Sequence, residues 1–173
     1  MRNFFFARNI LVALVLVAIV SFSQGSIFEK TVQQRSPYLP IGWKDITPKK
    51  VAAKKYAKKS SANIKPTVVL IVSEKNNKDP KQYVTELIKG TKSVIPSLEI
   101  TSDNSSEIEG LYTRIIVGTY MTGDQLVDIR QQISVQDNSV FTITASTDPT
   151  ETKTLEKEIL RIFNILHNTY ITR

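Results

Sequence analysis

The sequence predicts an α/β fold: a three-layer sandwich with a four-stranded, mainly parallel sheet, preceded by an N-terminal hydrophobic leader helix and a basic tether. Short apolar runs rich in β-branched residues alternate along residues 66–173 with segments of helical periodicity. Two Asp-Pro pairs, at Asp79 and Asp148, suit the N-cap and first position of helices. Strands separated by helices pair in parallel through right-handed crossovers, which places helices on both faces of the sheet.

Residues 1–23 have the pattern of an export signal. Arg2 and Arg8 precede the unbroken apolar run 10–20, and small residues follow it. A basic start, a short apolar centre and a small-residue exit are typical of a secretory signal peptide. As a helix this run would span about 16 Å, roughly half of a bilayer core. We therefore expect an exported, extracytoplasmic protein, with a retained signal anchor over residues 4–23 or mitochondrial import as the alternatives.

Residues 24–65 are predicted to form a tether. Two prolines and a glycine surround Tyr38 and Trp43, and residues 44–65 carry eight lysines against the single acid Asp45. Thr47, followed by a proline, predicts a short helix. This segment is either a solvated spacer or an electrostatic contact with anionic lipid, a polyanion or an acidic protein surface. Together with residues 4–23 it offers a route to membrane association.

Composition and charge exclude several function classes. The net charge of +7 comes from the leader and the tether, since residues 66–173 hold 11 basic and 14 acidic residues. A nucleic-acid-binding domain should carry positive potential on its folded surface, so no nucleic-acid partner is expected. The chain has no cysteine and one histidine. These counts exclude a disulfide scaffold, thiol chemistry and cysteine-based zinc sites, and they argue against a multi-histidine metal centre.

The predicted domain spans residues 66–173, and its elements follow in a regular order. Strands are predicted at 67–72, 98–101, 112–119 and 140–145, and helices at 79–90, 123–133 and 148–166. Residues 103–110 are predicted to form a polar loop or one short helical turn. Parallel sheets bind ligands beyond the carboxyl ends of their strands. The candidate site is therefore the set of loops 73–78, 102–110, 119–123 and 146–148.

This order of elements resembles the flavodoxin-like fold over residues 66–168. In that family the loop after the first strand wraps the flavin phosphate with hydroxyl and glycine positions. Here the loop reads Ser73-Glu74-Lys75-Asn76-Asn77-Lys78, in which Ser73 fits the family pattern, while lysine, asparagine and lysine replace threonine, glycine and threonine. The resemblance implies an FMN site formed by Ser73, Lys75, Asn76, Asn77 and Lys78, with Tyr120 stacking on the flavin ring.

A second and shorter resemblance covers about 35 residues. The segment Arg114–Tyr120, the pair Gln125-Leu126 and the strand that ends near Asp148 are similar to the C-terminal α/β sandwich domain of family 3 glycoside hydrolases. The catalytic barrel of those enzymes has no counterpart in this sequence. This resemblance implies a relative in fold and no glycosidase activity.

The remaining chemical groups do not form a recognisable catalytic set. Glu107 and Glu109, like Asp124 and Asp128, are paired carboxylates in polar surroundings, which indicates solvated acids. His167 lies near the end of the last predicted helix, where a histidine interacts with the helix dipole. No phosphate loop, nucleophile elbow or dinucleotide fingerprint occurs. We therefore expect no catalytic residue and no metal ligand.

One modification site is predicted. Asn104 begins the acceptor sequence Asn-Ser-Ser and lies in the predicted polar loop. If the chain enters a eukaryotic secretory pathway, Asn104 is the expected glycosylation position.

Three hypotheses for function follow from these observations. The favoured one is a non-enzymatic accessory or interaction domain, exported or tethered to a membrane, which binds a protein partner in a larger assembly. The second is a flavin- or phosphate-binding redox domain with its site at Ser73–Lys78. The third is a hydrolase or transferase that uses the loop carboxylates Glu107 and Asp124.

Overall fold

The computed structural model describes residues 38–48, 53–74, 78–108 and 110–171. The predicted leader, residues 1–23, lies outside the described residues. Within them the chain forms seven strands and two helices: β1 (Trp43–Asp45), β2 (Ala53–Lys58), β3 (Thr67–Glu74), α1 (Pro80–Val94), β4 (Glu99–Ile108), β5 (Leu111–Thr122), β6 (Gln125–Gln136), β7 (Ser139–Thr147) and α2 (Pro149–Tyr170).

The strands form one sheet in the order β1-β2-β3-β7-β6-β5-β4, and every neighbouring pair is antiparallel. The predicted four-stranded, mainly parallel, flavodoxin-like sheet is therefore wrong. The polar loop predicted at 103–110 belongs to strand β4, and the helix predicted at 123–133 is strand β6. Two further strands, β1 and β2, come from the segment interpreted as a tether.

Tight turns explain why β4 to β7 form a meander. Two residues separate the paired ends of successive strands at each connection, between Ile108 and Leu111, Thr122 and Gln125, and Gln136 and Ser139. Each of these loops contains a residue with positive φ, as two-residue hairpins require: Gly110, Gly123 and Asp137. Antiparallel pairing follows because a connection this short cannot cross over the sheet.

Both helices begin where the sequence predicts, at an Asp-Pro pair. The Asp79 carboxylate accepts hydrogen bonds from the backbone N–H groups of Lys81 and Gln82, and Asp148 accepts one from Thr150. These bonds satisfy N–H groups that lack partners in the first turn of a helix. Helix α1 continues past Gly90 to Val94.

The two helices pack on opposite faces of the sheet. Strand β7 shows this directly, because Phe141 and Ile143 join the core cluster under α2, whereas Val140 joins the cluster under α1. Successive side chains of a strand point to opposite faces. The α2 cluster draws on β1, β2, β3 and β7, and the α1 clusters draw mainly on β5 and β6. Helix α1 therefore covers mainly β5 and β6 on one face, whereas α2 covers β1, β2, β3 and β7 on the other face and also contacts β6.

Candidate functional site

The antiparallel sheet separates the residues predicted to bind FMN. Ser73 pairs with Val140 at one end of the sheet, and Tyr120 pairs with Val127 at the other. Residues 75–77, which include Lys75, Asn76 and Asn77, lie outside the described residues. Lys78 forms an ion pair with Glu86 of α1. The described positions of this set thus do not converge on one place.

Tyr120 is a core residue. It is buried with Ile95, Leu98 and Ile129, and this burial raises the pKa of its phenol. A buried phenol at this position has packing as its role, because the ring is enclosed by aliphatic side chains.

The other predicted residues lie apart from one another. Asn104 is exposed on the edge strand β4, where its amide donates to Ser102 Oγ at 2.9 Å, so it lies in a strand and not in the predicted loop. Glu107 is also exposed on β4, and Asp124 lies in the β5–β6 turn. His167 lies in the last turn of α2, with Nδ1 3.1 Å from Gln132 Nε2, and burial lowers its pKa.

The lysine-rich segment is divided between the two faces of the sheet. Lys54 and Lys58 point to the α2 side, where they pair with Asp45 at 3.6 Å and Glu158 at 2.7 Å. Trp43 Nε1 also donates to Glu158, at 2.7 Å. Partial burial raises the pKa of Glu158, but the hydrogen bonds from Lys58 and Trp43 outweigh it, so the pKa lies below its usual value. These contacts fasten β1 and β2 to α2.

The opposite side of β1, β2, β3 and β7 forms a surface that we call the open basic face. Register places Lys44 opposite Ala57 and Lys55 opposite Val69, away from the α2 core. The exposed and half-buried strand positions of this face are residues 44, 55, 57, 67, 69, 71, 73, 142, 144 and 146. Two of them are lysine and none is acidic, so the face carries positive charge without compensation.

Helix α1 leaves much of this face uncovered. Its core clusters contain no residue of β2 or β3, and Val69, Ile71, Thr142 and Thr144 are half-buried. In the described part of the chain, neither Lys44 nor Lys55 forms a salt bridge.

The same side of the molecule gains further positive charge from α1. Three of its exposed residues are lysines, at Lys81, Lys89 and Lys92. Its one acid within the helix, Glu86, is already paired with Lys78. Among the described residues these three lysines form no salt bridge, while the charge of Lys92 helps to lower the pKa of Asp103. Lysines beside a surface of hydroxyl and apolar groups favour contact with an acidic surface.

Sequence reasoning missed the open basic face because it treated residues 24–65 as a tether outside the fold. The sequence did contain one sign of a strand here: in the segment Lys54-Lys55-Tyr56-Ala57-Lys58, a single large apolar residue is flanked by lysines. Tyr56 is fully buried between two lysines that point to the α2 side, as expected of a strand with one face in the core.

Among the described residues, no cluster of histidine, aspartate and glutamate has the arrangement of a metal site. Neither of the two helices in this part of the chain combines the length and apolarity needed to cross a bilayer.

Together these features define an α+β protein built on an antiparallel meander, with one helix on each face. Several solved structures share this fold, and three of them show the range of similarity. LpqN of Mycobacterium tuberculosis, involved in cell envelope biogenesis, gives a TM-score of 0.59 at 19% identity over 75% of this chain and 78% of LpqN. A Pseudomonas aeruginosa protein of unknown function, PA94, gives 0.57 at 14% identity over 72% and 85%. The cyanobacterial PsbP (CyanoP) of Synechocystis sp. PCC 6803 gives 0.55 at 13% over 83% and 96%.

This likeness establishes the fold. No family model matches the sequence, and no curated protein matches it. The resemblances to the flavodoxin-like fold and to the C-terminal domain of family 3 glycoside hydrolases are both wrong, because the structural neighbours have mostly antiparallel sheets. The argument for an FMN site depended on the parallel sheet and falls with it.

Proposed function

We propose that this chain is a non-enzymatic accessory domain, exported or held at a membrane, that docks through its open basic face on an acidic protein surface in a larger assembly. The observation that carries the proposal is the position of Lys44 and Lys55. They lie on a part of the sheet whose β1, β2 and β3 residues belong to neither α1 core cluster and include no acidic residue on this face. Such a surface attracts an acidic partner and orients it.

Two other lines of support concern location and assembly. Residues 1–23 have the pattern of an export signal. Two proteins of the same fold are an envelope-biogenesis protein and a PsbP protein. An accessory role outside the cytoplasm agrees with both.

The apolar and hydroxyl side chains of the open basic face favour a protein partner over a lipid surface. Apolar Val69 and Ile71 lie beside the hydroxyls of Thr142 and Thr144. A protein partner can contact the apolar and hydroxyl groups of this surface with its own side chains and backbone. Anionic lipid headgroups would interact mainly with the lysines and leave these other groups unused. An anionic membrane is the competing partner that the experiment must distinguish.

The test is the double charge reversal K44E/K55E in cells that make the protein naturally. The control is K153E/K157E, which changes the net charge equally at two exposed positions of α2. After extraction in mild detergent, we expect the wild type and the control to sediment with a complex and K44E/K55E to sediment as a monomer. Circular dichroism of both purified variants verifies that they fold.

Two outcomes would contradict the proposal. One is sedimentation of the wild type as a monomer, and the other is retention of K44E/K55E in the complex. Flotation with vesicles containing about 30% phosphatidylglycerol separates the lipid alternative. If the charge reversal abolishes flotation and leaves the complex intact, the open basic face is a membrane contact.

A further inference from the structure

A cavity of about 210 Å³ lies between the first half of α2 and strands β5 and β6. Val117 pairs with Arg130, and Arg130 pairs with Ala145, which belongs to the core cluster under α2. The cavity therefore lies on the α2 side of the sheet, opposite the open basic face. Apolar wall is supplied by Val117 and, from α2, by Ile159 and Leu160. The cavity is therefore a separate feature from the proposed docking surface.

Arg130 lines this cavity, and one of its nitrogen atoms lacks a hydrogen-bond partner. Its Nε atom is buried and has no hydrogen-bond partner, and no carboxylate oxygen of the described residues lies within 4.0 Å of its guanidinium. Arg114, on the neighbouring strand β5, does have a carboxylate partner, because it donates to both oxygens of Asp103 at 2.7 Å. A buried donor of a charged group that lacks an acceptor is costly, so an anion that accepts from Arg130 Nε would remove this cost.

Negative charge lines the cavity beside this cation. Asp128 is two residues from Arg130 on the same face of β6, so their Cα atoms are about 6.7 Å apart. Asp128 Oδ2 accepts a hydrogen bond from Thr152 Oγ1 at 2.6 Å, and Thr147 Oγ1 lies 2.7 Å from that hydroxyl. Glu156, one helical turn after Thr152, also lines the cavity.

The size of the cavity restricts the ligand. Sites for drug-sized ligands and cofactors have about 300–1,000 Å³, which is more than this cavity offers, whereas an engineered cavity of about 150 Å³ takes up benzene. The cavity is therefore smaller than the sites that enclose flavins and nucleotides, and its volume matches a small molecule. A cation and a carboxylate about two strand residues apart match the carboxylate and ammonium groups of a small zwitterion, with one charge-assisted hydrogen bond of about 2.8 Å at each end.

We propose that this cavity binds a free amino acid, with its carboxylate on Arg130, its ammonium group on Asp128 and Glu156, and its side chain against Val117 and Leu160. This binding site goes beyond the accessory function proposed above and uses none of the same residues. Because they share no residues, the amino-acid site and the docking surface can be tested separately.

The probes are L-valine and two matched analogues. Isovalerate is valine without the ammonium group, and isobutylamine is valine without the carboxylate. Calorimetric titration of the purified protein should give a Kd of about 1 mM or lower for at least one of the twenty L-amino acids. L-valine should bind at least about tenfold more tightly than isovalerate or isobutylamine. Chemical-shift changes should concentrate at the amides of Val117, Thr119 and Arg130.

Two variants locate the site. R130Q should weaken binding at least about tenfold, and D128N should do the same while leaving Arg130 in place. R114Q is the control, because that arginine lies on the other face of the sheet, and its binding should equal that of the wild type. If R130Q does not fold, D128N and the chemical shifts decide the question.

Three results would overturn the proposal. One is no binding of any of the twenty amino acids at about 10 mM. Another is equal binding to D128N and to the wild type. The third is equal affinity for valine and isovalerate, which would make the cavity a site for simple carboxylates.

Discussion

Gly118 should not tolerate a side chain, although its backbone conformation is ordinary. It lies on β5 opposite Ile100, next to the irregularity between Ile100 and Ser102 in β4. A Cβ atom at Gly118 would come closer than 3.0 Å to the Glu99 carbonyl oxygen and to 3.1 Å from the Ile100 Cα. These are backbone atoms, so the strain can be relieved only by moving β4 away from β5.

The size of the effect of Gly118→Ala follows from two opposing contributions. Overpacking in the folded state lowers the free energy of unfolding by about 1–3 kcal/mol. Replacing glycine with alanine also restricts the unfolded chain, which raises the free energy of unfolding by about 0.4–1 kcal/mol. Because the clash is with backbone, we expect a loss near 2 kcal/mol. At a urea dependence of about 2 kcal/mol per M this lowers the unfolding midpoint by roughly 1 M.

The matched control is Gly90→Ala. Gly90 lies inside α1, and a Cβ there meets nothing within 4 Å, so this change should stabilise the protein by about 0.5–1 kcal/mol. Urea unfolding followed by circular dichroism measures both variants. An unchanged or higher midpoint for Gly118→Ala would refute the reasoning about the β4–β5 contact.

Two further predictions concern charged groups. The hydrogen bond from Arg114 holds the pKa of Asp103 below its usual 3.8, so its contribution to stability is present above that pH and is lost as the pH falls through the lower folded value. Unfolding of D103N should depend less on pH between about 4 and 2, and identical pH profiles would contradict this. Asp79→Ala removes the cap of α1 and should cost about 1 kcal/mol in urea unfolding; an unaltered midpoint would show that the cap contributes nothing.

The sequence predicts both helices well and mistakes the sheet for a physical reason. In β6 the apolar residues Leu126, Val127, Ile129 and Ile133 have a helical spacing, but Val127, Ile129 and Ile133 also fall on one face of a strand. The turn at residues 123–124 distinguishes a strand from a helix here. Gly123 and the aspartate after it suit a two-residue hairpin loop, which was interpreted instead as the start of a helix.

The sites were harder to predict because they depend on the sheet. As members of a helix, Asp128 and Arg130 would point in different directions, whereas in a strand they share a face. Lys44 and Lys55 become neighbours on the open basic face only through the pairing of β1 with β2 and of β2 with β3. That pairing brings together residues whose sequence patterns are unremarkable when each is considered alone.

The attachment of β1 has a mechanical consequence. This strand is three residues long and lies at one edge of the sheet, where its strand partner is β2 and Trp43 is held by Glu158. Tension applied at Tyr38 would therefore act first on β1, and detaching β1 would break no strand pairing within the β4–β7 meander. Release would expose the single tryptophan of the chain, so its fluorescence would report pulling on the N-terminal side of the domain.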